Sequence, residues 1–231
     1  MKRLIPFLAL AVTACASAAP RQYPGVRLKP AANPSAVIAA ELAFAQLAQT
    51  KGQWTAFRET ATADAVMFVP QRVNAQAWLK GRADPAVAVK WQPHQVWSSC
   101  DGSFSVTRGA WQGPKASGHF TTVWQRQKDG GFKWVLDMGD PLEAPLAAPE
   151  MIAAKVADCK GLPPIAQIIA AQQDRREGLS DDRTLGWSVR VDPQCGRIYR
   201  LLLWDGTKMA DVMSGSVEPA PAGDRPANGC A

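Results

Sequence analysis

The order of two periodicities constrains this chain most. Between residues 33 and 89 apolar side chains recur at helical spacing, and between 95 and 138 they fall into short runs cut by turn signals. Asn33-Pro34-Ser35 offers a capping residue followed by a proline that suits a first helical turn. Ile38, Leu42 and Ala45 keep one helical face, and Lys51-Gly52 closes the helix. Trp54 and Phe57 open a second, short helix ending near Thr62, and Val66, Phe68 and Pro70 suggest a brief strand. Ala75 to Leu79 reads as a helical turn closed by Gly81, and a third short helix is expected over 84–89. Strands are expected over 95–99, 104–111, 119–127 and 132–138. Asp101-Gly102 and Asp129-Gly130-Gly131 are the hairpin turns, and Gly109 a bulge. Helices first and an antiparallel meander afterwards mean an α+β domain, spanning 33–141, rather than a parallel α/β sheet.

The first residues follow a different logic. Lys2 and Arg3 precede an apolar run from Leu4 to Ala14, and small residues continue to Pro20, the three-part layout of a secretory signal. The last third of that stretch is small rather than greasy, and a spanning helix needs about 20 clearly apolar residues, so no mature transmembrane anchor is expected. Two processing sites compete. Ala16-Ser17-Ala18 fits ordinary signal cleavage, whereas Val12-Thr13-Ala14-Cys15 resembles a bacterial lipobox in which Cys15 is lipidated and becomes the new N-terminus. The position of Cys15, where the apolar run ends, favours the second. Residues 1–19 are then a signal segment and 20–32 a proline-rich linker. The expectation is an exported protein in the periplasm, tethered to the outer membrane and touching it only through a lipid anchor.

The formal net charge is +6, two units of it from Lys2 and Arg3, and no run of five like charges occurs. That pattern excludes nucleic acid as the expected partner.

Past residue 141 the chain loses its regularity. Pro141, Pro145 and Pro149 interrupt a connector over 142–182, in which Ile165 to Gln173 suits a short helix. Leu185 to Val191, Ile198 to Trp204 and Met209 to Val217 alternate as strands, separated by turns at Asp192-Pro193 and Asp205-Gly206. A β extension this small, over 183–217, needs a partner surface and is expected to pack on the main domain. Residues 218–231 are rich in Pro, Ala and Gly and read as a mobile tail. Four cysteines remain after Cys15, and an even number in an exported chain reads as two disulfides with three possible connectivities. Cys100 lies at the Asp101-Gly102 turn and Cys159 ends the proline-rich arm, so joining them staples the arm to the domain. Cys195 sits on a tight turn that a tail carrying Cys230 can reach. Cys100–Cys159 and Cys195–Cys230 are therefore the expected bridges.

The segment Gly118-His119-Phe120-Thr121-Thr122-Val123-Trp124-Gln125-Arg126-Gln127, followed by Asp129-Gly130-Gly131-Phe132-Lys133-Trp134-Val135-Leu136-Asp137, resembles the last hairpin of the nuclear-transport-factor-2-like superfamily. Asp64-Ala65-Val66, after two helices, is similar to the entry into its first strand. The likeness covers 33–140 and is nearest to the SnoaL-like and ketosteroid-isomerase-like group. It implies a cone-shaped, curved antiparallel sheet wrapped around the N-terminal helices, a cavity at the wide end, and frequent homodimers.

The chemistry is sparse. No Cys-x-x-Cys or His-x-x-x-His spacing occurs, and His94 and His119 are far apart, so no metal site is expected. No phosphate loop, dinucleotide fingerprint or nucleophile elbow is present, and no cofactor is expected. His94 follows Pro93 at a strand entrance and reads as a surface residue. His119 lies within a strand with no visible activating partner, which suits a hydrogen-bonded structural residue better than a base. Asp137 lies among Trp134, Leu136 and Met138, and apolar walls raise the pKa of a carboxyl group toward that of a general base, although a strand-end residue bonded to backbone or an Arg is the commoner role for such a carboxylate. Ketosteroid-isomerase-like enzymes also use a tyrosine, and neither Tyr23 nor Tyr199 falls where it is needed. The expected ligand pocket holds His119 and Asp137 from adjacent strands, with Trp111 and Trp134. The remaining tryptophans, 9 in the chain in all, read chiefly as core. The leading expectation is a non-enzymatic pocket for a small apolar molecule, or a surface for a protein partner. An isomerase- or cyclase-like enzyme with Asp137 or His119 as general base is the alternative, and a purely structural envelope role ranks third.

Overall fold

The structure, a computed structural model, describes residues 31–69, 71–164 and 176–218. The signal segment with Cys15, most of the linker, Pro70, the helix expected over 165–173, and Cys230 in the tail lie outside the described residues.

Asn33 starts α1 (Pro34–Lys51) by accepting the Ala36 N–H on its side chain at 3.2 Å. The buried stripe of α1 is Val37, Glu41, Phe44 and Ala48. This corrects the face read from the sequence: Leu42 is 44% exposed, because a glutamate occupies a core position and disguises the true stripe. Next come α2 (Gln53–Thr60), β1 (Ala61–Phe68), β2 (Arg72–Asn74) and α3 (Ala75–Leu79). The helix expected over 84–89 is absent. Asp84 precedes a proline, which disfavours helical backbone, and its carboxylate is drawn into hydrogen bonds with the Thr55 N–H and hydroxyl at 2.9 and 2.6 Å.

The meander follows as β3 (Lys90–Ser98), β4 (Phe104–Gln112), β5 (Ser117–Arg126) and β6 (Phe132–Leu142). Gly102 carries the β3–β4 turn at φ 65°, a conformation that costs other residues a clash at Cβ. The bulge expected at Gly109 lies instead across from it, on β3 between Pro93 and Gln95, where His94 is the extra residue. The segment leaving β6 turns back as β7 (Ala153–Val156) and covers the β3 edge.

The first sheet has the order β2-β1-β6-β5-β4-β3-β7. It is mixed rather than antiparallel: β1 runs parallel to β6, and β7 parallel to β3. Only hairpin-joined neighbours are obliged to be antiparallel, and these two pairs are joined through long crossings. The second sheet comprises β8 (Arg176–Leu179), β9 (Leu185–Val191), β10 (Arg197–Trp204) and β11 (Met209–Val217), in the order β11-β10-β9-β8. The connector thus contributes β7 and β8, which the sequence reading treated as irregular.

The two faces of the first sheet carry different cores. Val37, Phe44 and Ala56 from the helices pack with Met67, Trp124 and Trp134 on one face. Val106, Val123 and Phe104 on the other face pack against Leu185, Leu201 and Leu203 of the second sheet. Helices, large sheet and small sheet therefore form three layers. Cys100 and Cys159 are disulfide-bonded with their Cα atoms 5.3 Å apart. The bridge lies where the chain crosses between layers: Ala157 N–H donates to Ser98 and Asp158 N–H to Trp204. Cys195 is also disulfide-bonded, and Cys230, its expected partner, is outside the described residues.

Candidate functional site

The pleat decides which side chains can meet. In the β5–β6 pair, His119 faces Asp140 and Thr122 faces Asp137. Residues 119 and 122 differ by an odd number, as do 137 and 140, so the two pairs project from opposite faces. His119 and Asp137 therefore do not share a pocket, which corrects the set expected from sequence. They belong to two separate sites.

Asp137 lies on the helix side, at the wall of a cavity of about 180 Å³. Phe44 from α1, Trp54 and Phe57 from α2, Trp91 from β3, Trp111 from β4 and Phe120 from β5 supply most of that wall. Their rings meet edge to face: Phe44 and Trp91 centroids are 4.7 Å apart, and Trp54 and Phe57 5.6 Å. Helices α1 and α2 thus bring their aromatic residues onto the pleat of the sheet. Trp111 is on the wall as expected. Trp134 is not: it is fully buried in the adjoining core, with its indole N–H on the Thr60 hydroxyl at 2.9 Å.

Among the described residues, Gln53 and Asp137 interrupt the wall. The Gln53 amide oxygen accepts the Val89 N–H at 3.0 Å. Asp137 accepts a 2.7 Å hydrogen bond from the Thr122 hydroxyl. Burial pushes its pKa up to about 7; the Thr122 bond opposes that rise, and the negative fields of Glu41 and Asp140 add to it. Such a group carries a proton about half the time at neutral pH.

Behind the wall is Glu41, which nothing in the sequence reading singled out. It is fully buried and accepts three hydrogen bonds, from the Trp91 indole at 2.7 Å, the Trp124 indole at 2.9 Å and the Thr107 hydroxyl at 2.5 Å. Burial raises its pKa while these donors oppose the rise. The signal that marks it is positional: it interrupts the 37–44–48 stripe of α1 at helical spacing.

On the opposite face, the His119 Nε2 is 3.1 Å from the Tyr199 hydroxyl and 3.6 Å from Asp140. Arg108 donates to the same hydroxyl at 3.1 Å, and Asp140 is ion-paired with Arg197. Burial, together with the nearby Arg108 and Arg197 cations, pushes the His119 pKa down to about 4. His119 is thus a neutral, hydrogen-bonded link between sheets. His94 is buried, against the expected surface position, because the β3 bulge turns it inward. His94, Arg108 and His119 line a second cavity of about 440 Å³ beneath the 142–153 segment, with Leu142, Leu146 and Met151. No group of three or more metal-ligating side chains occurs among the described residues.

No protein-family model and no curated protein sequence matches the chain. Solved structures do. A candidate ketosteroid isomerase from Parabacteroides distasonis is similar at 15% identity and a TM-score of 0.39, over 50% of this chain and 98% of that one. An NTF-2-like protein of unknown function from Burkholderia xenovorans is similar at 18% identity and a TM-score of 0.33, over 50% and 89%. An epoxide hydrolase of M. tuberculosis gives 19% identity and 0.33, over 47% and 81%.

Proposed function

We propose that this protein binds a small, mainly apolar molecule in the aromatic cavity beside Asp137. One observation carries the reading: an aromatic cavity of about 180 Å³ with a carboxyl group near pKa 7 in its wall. An apolar cavity of roughly 150 Å³ is large enough to hold benzene, and pockets with few polar groups on an apolar lining are the usual form of a small-molecule site. The helix-and-sheet unit is read as a cone-shaped pocket domain of the nuclear-transport-factor-2-like type. The Cys100–Cys159 bridge supports folding in an oxidising compartment, in keeping with export to the periplasm through the signal segment and anchorage at Cys15. Any homodimer has to use a face other than the outer side of the large sheet, since the second sheet covers it.

The test is quenching of the wall tryptophans by toluene. Saturable quenching is expected in the native protein and is lost in Val89→Trp, which fills the cavity. Linear, unsaturable quenching in both proteins ends the reading.

A second reading has its own support. A carboxyl near pKa 7 at the wall of an apolar cavity is suited to proton abstraction, as in an isomerase or cyclase. The tyrosine that ketosteroid-isomerase-like enzymes add has no counterpart on this face. Tyr199 is buried against His119, and Tyr23 is outside the described residues. Deuterium uptake from solvent into an enolisable cyclic ketone, abolished in Asp137→Asn, is the expected sign of that chemistry. Equal uptake with and without protein removes it.

A further inference from the structure

We infer that the ligand of the aromatic cavity is an organic cation, a substituted ammonium whose charge sits against Trp91 and Asp137. This rests on the cavity being a ligand site and names the class of ligand. Three features of the wall select it.

The first is charge. Among the described residues, the lining contains one acidic side chain and no Lys, Arg or His. The second acid, Glu41, lies one layer back, fully buried and satisfied by neutral donors only. Indole N–H groups can donate but never accept, so two of its three bonds favour the carboxylate over the acid form. Among the described residues, the cation that meets a wall residue is Arg197, which lies over the outer side of the Phe68 ring at 4.4 Å from its centroid and is paired with Asp140. Among the described residues, the charges that act on Asp137 are thus negative, in surroundings where screening is weak.

The second is the rings. Aromatic faces attract cations through their quadrupole, and Trp does so most strongly. Trp91 gives its N–H to the Glu41 carboxylate at 2.7 Å. A hydrogen bond to an anion pushes electron density onto the indole and makes its face a better cation acceptor. Trp54 and Trp111 complete the wall.

The third is cost. A neutral hydrocarbon ligand gains nothing from a carboxyl group in the wall, and burying that group is unfavourable. A cation turns the same group into a partner. Its arrival favours the ionised form of Asp137, so binding expels a proton whenever Asp137 was protonated. Among the described residues, the charged groups acting on Asp137 are Glu41 from α1 and Asp140 from its own strand, both negative, and the Thr122 hydroxyl from β5 is its hydrogen-bond donor. Affinity for a cation therefore rises with pH through about 7.

The experiment compares two probes of one shape, trimethylphenylammonium and tert-butylbenzene, by tryptophan fluorescence titration of the native protein at pH 6 and pH 8. At pH 8 the ammonium is expected to bind at least tenfold more tightly, and that preference is expected to shrink at pH 6. Asp137→Asn is expected to reduce the preference at pH 8. If the hydrocarbon binds as tightly as the ammonium, the cation assignment is overturned while the cavity remains a ligand site. If neither binds, the site itself is rejected along with its ligand class. Ammonium affinity that is equal at the two pH values overturns the role of Asp137.

Discussion

The Thr122 hydroxyl on β5 donates a 2.7 Å hydrogen bond to Asp137 on β6, the only one that carboxylate accepts among the described residues. It is also the one contact that lowers the Asp137 pKa against the effects of burial and of Glu41 and Asp140. Removing it has a definite sign. Thr122→Val is expected to raise the Asp137 pKa above about 7, read from the carboxyl carbon shift during a pH titration. An unchanged or lower value shows that the bond does not govern the group.

The same pKa sets how stability depends on pH. Asp137 titrates near 3.9 in an unfolded chain and at about 7 in the folded one. The folded state therefore holds the proton more tightly, and the stability contributed by Asp137 is full below pH 4 and lost as pH rises through about 7. A difference of that size corresponds to roughly 4 kcal/mol. Asp137→Asn keeps an acceptor for Thr122 without the charge, so it is expected to stabilise the protein at pH 8 and leave it nearly unchanged at pH 4. Urea denaturation at the two pH values checks this, and an equal effect at both contradicts it.

The Asp140–Arg197 pair ties the large sheet to the small one, with both side chains 6% exposed. Breaking a buried pair from one side leaves an uncompensated charge and costs about 3–5 kcal/mol. Arg197→Met and Asp140→Asn are each expected to fall in that range. The double variant is expected to cost clearly less than their sum, since no lone charge remains. Additive losses in denaturant titrations indicate that the pair is not coupled.

Much of the fold is legible in the sequence because its signals are local. The Asn33 cap, the Asp101-Gly102 turn and the alternation around Val123 each specify their own element, and the helix-then-meander order follows from them. The parallel pairings of β1 with β6 and β3 with β7 are not legible, because they depend on where distant segments come to rest. The site shows the same division. The carboxyl at Asp137 can be picked out by its apolar neighbours, but its separation from His119 depends on which residues of β5 and β6 stand opposite one another. A shift of one residue in that pairing exchanges the faces. Glu41 is illegible for the opposite reason: a charged residue at a core position reads as solvent-facing, and only the indole donors that converge on it explain why it is inside.

Reduction of the Cys100–Cys159 bridge is expected to lower stability. The bridge closes a loop between residues 59 apart and holds the crossing segment at the corner of both sheets. Loss of a native disulfide typically costs about 2–5 kcal/mol, in part by releasing the unfolded chain. Cys100→Ser/Cys159→Ser is expected to lower the melting temperature to the same extent as reduction of this bridge alone. Recovery of Cys100 as a free thiol in non-reducing peptide maps refutes the pairing.

Processing at Cys15 is tested apart from the fold. Val12-Thr13-Ala14-Cys15 stands where the apolar run of the signal ends, and lipidation there requires the Cys15 thiol itself. In a bacterial host the full chain is expected to incorporate an alkyne-tagged palmitate and to fractionate with membranes. Cys15→Ala is expected to lose the label and to be cut after Ala18 instead, leaving Ala19 as the first residue of a soluble periplasmic form. Equal labelling of the Cys15→Ala variant, or an Ala19 N-terminus on the unaltered chain, rules out the lipid anchor and leaves ordinary cleavage as the route of export.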